Sequence, residues 1–224
     1  MPETELPLAT RCYVEGEARE RALTSLGSLL DNDIGELDVA HDLQLRDDGF
    51  PLVELAGPDA RAAASLLREQ WGEATPPVPG EVGVGTLAAW DEEALLLDAG
   101  ERIRLSRDSL GLGPGDPREI RTRYGLVQHV PLRFVGGESP RLADAERDRL
   151  YDWTRGEGRV NVNSATRAEV RATVNRAGHA RDIVTVERLG LLEQSIVCKP
   201  ETDPPGLLAS IGEYLPSELL CVVP

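Results

Sequence analysis

Lysine is almost missing from this chain. Lys199 is the only one; the other 23 of the 24 basic residues are arginines, set against 39 acidic residues for a net charge of −15. Excess carboxylate with so little lysine is the composition of a protein kept hydrated in concentrated salt. At about 1 M salt the Debye length is only ~3 Å, so the carboxylates do not repel one another strongly. Aromatic residues make up 4% of the chain, which leaves a core of Leu, Val, Ile and Ala. No apolar run approaches the ~20 residues of a membrane span. The start, Met1-Pro-Glu-Thr-Glu-Leu-Pro-Leu8, has no basic stretch ahead of an apolar one. A cytoplasmic protein with no membrane partner is therefore expected.

The chemistry-bearing residues are equally sparse. Cys12, Cys198 and Cys221 lie far apart in apolar, strand-like runs without a CxxC pair, as expected of reduced, buried thiols. His41, His129 and His179 are isolated, so no metal site is expected. There is no GxxxxGK[ST] and no GxSxG, and Gly83-Val-Gly85 lacks the third glycine of a dinucleotide loop. No cofactor is expected and no catalytic residue is assigned, which makes an enzyme the third of three readings.

What is present is a regular alternation of short elements that reads as an α+β protein in three modules. Residues 1–74 give a βαββα order: a strand over 8–15, a helix over 17–30, strands over 35–46 and 51–56, and a helix from about Pro58 to Trp71. Thr75-Pro-Pro-Val-Pro-Gly80 is a linker. Residues 80–136 hold short strands at 82–90, 94–98, 103–105 and 127–135, with a glycine-rich loop at 111–115 and a short helix near 118–124. That pattern suggests a small β-barrel of OB or S1 type. Residues 140–224 give a leading helix (141–154), then the βαββαβ order of a ferredoxin-like module. Its first helix opens on a Thr166-x-x-Glu169 capping box, and Asp203-Pro-Pro opens the second. Val160-Asn-Val-Asn-Ser-Ala-Thr-Arg-Ala-Glu-Val170 imitates the opening of a helix-hairpin-helix motif. The polar stretch from Asn175 to Asp182, followed by a strand-like run, argues against that motif.

Charge is distributed unevenly along the chain. Residues 1–117 carry 9 basic and 24 acidic side chains, residues 118–188 carry 14 and 10, and residues 189–224 carry 1 and 5. The arginine-rich middle sits on module types that commonly bind nucleic acid, and the guanidinium fork pairs bidentately with phosphate. The leading expectation is a non-enzymatic RNA- or ribosome-associated factor, with Arg121, Arg123, Arg155, Arg159, Arg167, Arg171, His179 and Arg181 as contacts. At helical spacing these arginines do not form one stripe. In high salt, bulk attraction cannot carry the binding: five phosphate contacts give a slope of about −4.5 in log salt, so a tenfold rise costs ~6 kcal/mol. The second expectation is a regulatory small-molecule binder whose ferredoxin-like module dimerises through its sheet.

The run Arg176-Ala-Gly-His-Ala-Arg-Asp-Ile-Val-Thr-Val-Glu-Arg-Leu-Gly-Leu-Leu-Glu193, with Ile196-Val-Cys-Lys199 and Val82-Gly-Val-Gly-Thr-Leu87, resembles an uncharacterised archaeal family catalogued as domain of unknown function 2110. The likeness extends over the whole chain. It implies an archaeal, cytoplasmic, haloarchaeal-type protein, and it implies no activity and no functional residues.

Overall fold

In the computed structural model, which describes residues 3–224, the first sheet is built from β1 (Glu3–Pro7), β2 (Ala40–Leu45) and β3 (Pro51–Ala56) in the antiparallel order β1-β3-β2. Helices α1 (Gly16–Ile34) and α2 (Ala60–Trp71) cover one face. Leu26, Leu30, Val53, Leu55 and Leu67 form the core there. Each such side chain contributes about 1.5–3 kcal/mol of burial. The strand expected over residues 8–15 lies instead at Glu3–Pro7, and only Leu8 extends it, through a single bridge to Glu73. Residues 9–15 leave the sheet, and two of them find partners in the C-terminal module. The Thr10 hydroxyl accepts the Leu191 amide at 2.8 Å, and the Tyr13 hydroxyl donates to Glu193 at 2.6 Å.

The outer face of this sheet sets three carboxylates side by side, because Glu54 pairs in register with both Glu5 and Asp42. Like charges directly opposite one another destabilise a sheet. Gln44 donates to both Asp42 and Glu54 (3.3 and 3.0 Å), which offsets part of the repulsion. Replacing Glu54 by Gln should raise the urea midpoint in dilute buffer, by a few tenths to about 1 kcal/mol. That gain should vanish in molar salt, where the repulsion is already screened. An equal gain at both salt concentrations would show that repulsion is not the cause.

The middle module is a five-stranded antiparallel sheet curled into half a barrel, in the order β6-β5-β4-β7-β8. Its strands are β4 (Val82–Trp90), β5 (Ala94–Asp98), β6 (Arg102–Ser106), β7 (Pro131–Val135) and β8 (Arg141–Leu142). A register shift between Leu87 and Ala89 marks a bulge in β4 of the kind that bends a strand. Helices α3 (Arg107–Leu110) and α4 (Pro117–Arg123) lie between β6 and β7. Asp116 and Glu119 form a reciprocal capping box at the start of α4. The glycine-rich loop before α4 is pinned, since Tyr151 donates to the Gly111 carbonyl and Tyr124 to that of Leu112.

Helix α5 (Asp144–Arg155) follows β8. The sequence reading assigned this helix to the C-terminal module. Leu150 and Trp153 instead enter the core of the half-barrel, alongside Leu97, Ile120 and Phe134.

The last module has β9 (Arg159–Val162), α6 (Arg167–Arg176), β10 (Ile183–Arg188), β11 (Gln194–Cys198), α7 (Pro204–Gly212) and β12 (Leu219–Val222). The antiparallel strand order is β10-β11-β9-β12. Thr166 and Glu169 cap α6 as expected, and a strand rather than a second helix follows it. One face of this sheet packs on α6 and α7 through Val160, Val162, Val174, Ile196 and Ile211. The other face meets the middle module: Asn161 donates to the buried Gly125 carbonyl at 2.8 Å, and Val222 joins the half-barrel core.

Leu191 and Leu192, between β10 and β11, enter the core of the N-terminal module. The C-terminal module therefore contributes side chains to the cores of both other modules.

Candidate nucleic-acid interface

Two of the expected contact residues come together. Arg159 and Arg167 line one recess with Arg149, Trp153, Glu187 and Arg188. A second, smaller and less open recess, lined by residues of all three modules, shares Arg149, Arg188 and Leu189 with the first and adds Arg133. The pair forms a single arginine-lined groove with a wide, open end at Arg159 and Arg167 and a smaller, more closed end where the three modules meet. Its floor comes from Gly72 and Gly190. Gly72 has φ +73°, and a Cβ there would stand 2.6 Å from Val84; one at Gly190 would stand 3.0 Å from Pro131. Glycine at both positions is what allows the backbones of three modules to approach so closely.

Three of the five groove arginines already have carboxylate partners. Arg149 donates to Glu146, through Nε at 3.0 Å, and Arg133 lies 3.7 Å from the same nearly inaccessible carboxylate. Arg159 donates to Glu187. Among the described residues, Arg167 and Arg188 make no ion pair and no side-chain hydrogen bond. Arg188 is half-buried with its guanidinium 5.5 Å from the Trp71 ring. Burial above all, and then the positive charge of Arg167, pull its pKa below the ordinary arginine range, while Asp33 opposes them. Two mutually repelling guanidiniums at a concave surface are an arrangement that an anion would stabilise.

The remaining expected contacts lie elsewhere. Arg121 is a correction: it is buried, stacks 3.5 Å from the Trp90 ring centroid and pairs with Glu218. It has no face left for phosphate. Arg123 and Arg155 are exposed at the ends of α4 and α5, and Arg171 is exposed on α6; none lines the groove. His179 and Arg181 line a separate recess with Lys199 beside the start of α7, where His179 Nδ1 lies 2.7 Å from Asp182. Arg149 was not singled out from the sequence. Its one signal there is the Arg149-x-x-x-Trp153 spacing, which puts both on one helix face, and the guanidinium does lie 4.9 Å from that ring.

Behind the floor of the groove sits a buried polar cluster. Glu193 is fully buried, its Oε1 accepts from Tyr13, and the Ser164 amide donates to the same Tyr13 hydroxyl at 2.9 Å. Burial pushes the Glu193 carboxyl up to about 8. Burial also raises the Tyr13 pKa, with the neighbouring Glu193 charge second. The His129 ring stacks on Tyr13 at 4.0 Å. Burial first, then Arg11, push His129 down to about 4, against the opposing charges of Glu218 and Asp98.

Fold and groove together define a three-module α+β protein with an arginine-lined groove where its modules meet. The chain belongs to the DUF2110 family: the DUF2110 N-terminal domain matches residues 5–77, the DUF2110 central domain residues 77–154 and the DUF2110 C-terminal domain residues 157–223. The central match runs to the end of the region containing α5. No curated protein matches the chain. No helix among the described residues is long and apolar enough to cross a membrane.

Proposed function

We propose that this chain is a non-enzymatic RNA- or ribosome-associated factor of a salt-adapted archaeal cytoplasm, holding RNA phosphate in the groove of Arg133, Arg149, Arg159, Arg167 and Arg188. The observation that carries this reading is the pair of unpartnered guanidiniums, Arg167 and Arg188, facing one recess. Short-range forks at a concave surface retain affinity in salt better than diffuse positive charge does. The module types fit the reading. The strand order β6-β5-β4-β7-β8, with helices between β6 and β7, supports an OB-like barrel; β10-β11-β9-β12 supports a ferredoxin-like unit. Both are common RNA platforms. A small-molecule regulator that dimerises through the C-terminal sheet is less favoured, because the middle module already packs against that sheet's outer face.

The test is fluorescence anisotropy with a single-stranded RNA oligomer across a salt series. Each phosphate contact contributes about −0.7 to the log–log slope for a single strand. The double variant Arg167→Ala/Arg188→Ala should flatten the slope by about 1.4. Sedimentation with ribosomes in high-salt buffer should show the same loss. An unchanged slope together with unchanged sedimentation would remove the groove from the function.

A further inference from the structure

The two ends of the groove differ in chemistry. Arginines line both ends, but the closed end has none of the carboxylates, Asp152 and Glu187, found at the open one. It is walled by Ala9, Trp71, Val84, Pro131 and Leu189, with Thr10 and Gln70 as its neutral polar side chains and Arg133, Arg149 and Arg188 as its charged ones. The Thr10 hydroxyl accepts the Leu191 amide and so keeps its own proton free to donate. The Gln70 side chain is exposed and makes no hydrogen bond among the described residues, leaving both an amide donor and a carbonyl acceptor. The closed space is about 180 Å³. That is several times the ~30 Å³ share of a water and below the ~300–1,000 Å³ of a drug-sized ligand pocket. An inorganic anion would need no apolar wall of this size.

We infer that the closed end takes the base of one unpaired nucleotide while Arg167 and Arg188 hold its phosphate. This rests on the groove reading above and narrows it from RNA in general to a nucleotide at a strand end or turned out of a helix. The planar Arg188 side chain lies at the boundary of the two ends, already against the Trp71 ring. A guanidinium plane is a stacking surface for a base as well as a phosphate donor. The polar groups at the closed end can meet a base edge, with Gln70 offering both hydrogen-bond roles. A base paired within a duplex cannot enter a recess of about 180 Å³ set between three modules.

The experiment uses the full chain and four probes at one moderate salt concentration: inorganic phosphate, nucleoside 5′-monophosphates, single-stranded RNA and a blunt RNA duplex. At least one monophosphate should bind tenfold or more tightly than inorganic phosphate, and the single strand should bind more tightly than the duplex. Gln70→Ala should lower the ratio of monophosphate to phosphate affinity, and Arg167→Ala should weaken both ligands. Arg171→Ala, outside the groove, should change neither. Circular dichroism and urea midpoints establish that each variant is folded. Monophosphates that bind no better than phosphate, or a duplex that binds as well as the single strand, would overturn this inference while leaving the groove reading intact. Failure of single-stranded RNA to bind at all would overturn both.

Discussion

Arg121→Met should destabilise the whole chain by about 3 kcal/mol, read as a lower urea midpoint with a single unfolding transition. Arg121 lies on α4 of the middle module, and its partner Glu218 precedes β12 of the last one. Glu218 also accepts the Gln128 amide at 2.7 Å, while its own amide donates to Asn163 at 2.9 Å. Methionine keeps much of the packing on Trp90 but leaves a carboxylate without its cation. Because the Glu218 side chain retains 30% of its exposure, the cost belongs at the low end of the ~3–5 kcal/mol for breaking a buried pair. Adding Glu218→Gln should recover most of the loss. Glutamine still accepts from Gln128, and the unpaired charge is gone. If the double variant is no more stable than Arg121→Met, the pair is not what joins these modules. The same substitution should leave RNA affinity per folded molecule unchanged, since Arg121 has no exposed face.

Element order was legible because it depends on local periodicity. The longer helices, the linker and the Thr166–Glu169 capping box follow from spacing that neighbouring residues supply. Position failed where the pattern had a distant cause. Leu8 to Val14 alternates like a strand, yet that alternation serves Leu8 and Cys12 in one core and Thr10 and Tyr13 at a junction with residues about 180 positions away. The real strand, Glu3–Pro7, looks unpromising with its acids and a terminal proline. It is an edge strand, where proline is tolerated. The break expected between residues 136 and 140 does not separate two modules. The chain instead turns back there into β8 and sends α5 over the half-barrel.

The groove was legible only as a charge excess. Its walls come from residues 9–10, 70–72, 131–133, 149, 159, 167 and 188–190, and no sequence window contains them. The net +4 of residues 118–188 marks the region but not its members. Of its arginines, Arg121 is consumed by a clamp, and Arg133, Arg149 and Arg159 are held by acids. What distinguishes Arg167 and Arg188 is that they line the groove and yet make no ion pair among the described residues, a property of tertiary packing alone.

The second large effect expected is on pH. Wild-type stability should fall by about 2 kcal/mol between pH 6.5 and 8, and Glu193→Gln should abolish that fall. The sign follows from proton counting. Folding raises the Glu193 carboxyl from its ordinary 4.5 to about 8, so between these values the folded state holds a proton that the unfolded state has lost. Stability therefore declines as pH rises through that window. His129 acts in the opposite sense: its pKa drops from 6.5 to about 4 on folding, so stability rises with pH between those values. The two oppose each other from about 4.5 to 6.5. Above 6.5 the unfolded imidazole loses its remaining half proton, so the opposing contribution of His129 fades and that of Glu193 dominates. One proton over about 1.5 pH units, at ~1.36 kcal/mol per unit, gives the magnitude. Glutamine keeps an acceptor for Tyr13 and cannot ionise. Urea midpoints of both proteins at pH 6.5 and 8, in the same high salt, test this; parallel losses would mean that another group is responsible. The consequence reaches the groove, because Glu193 lies directly behind Gly190, where an added Cβ would stand against its Oε2. Ionising it puts a charge behind the floor shared by the N-terminal and C-terminal modules. Alkaline pH should therefore loosen the junction that holds Thr10 and Arg188 in one groove.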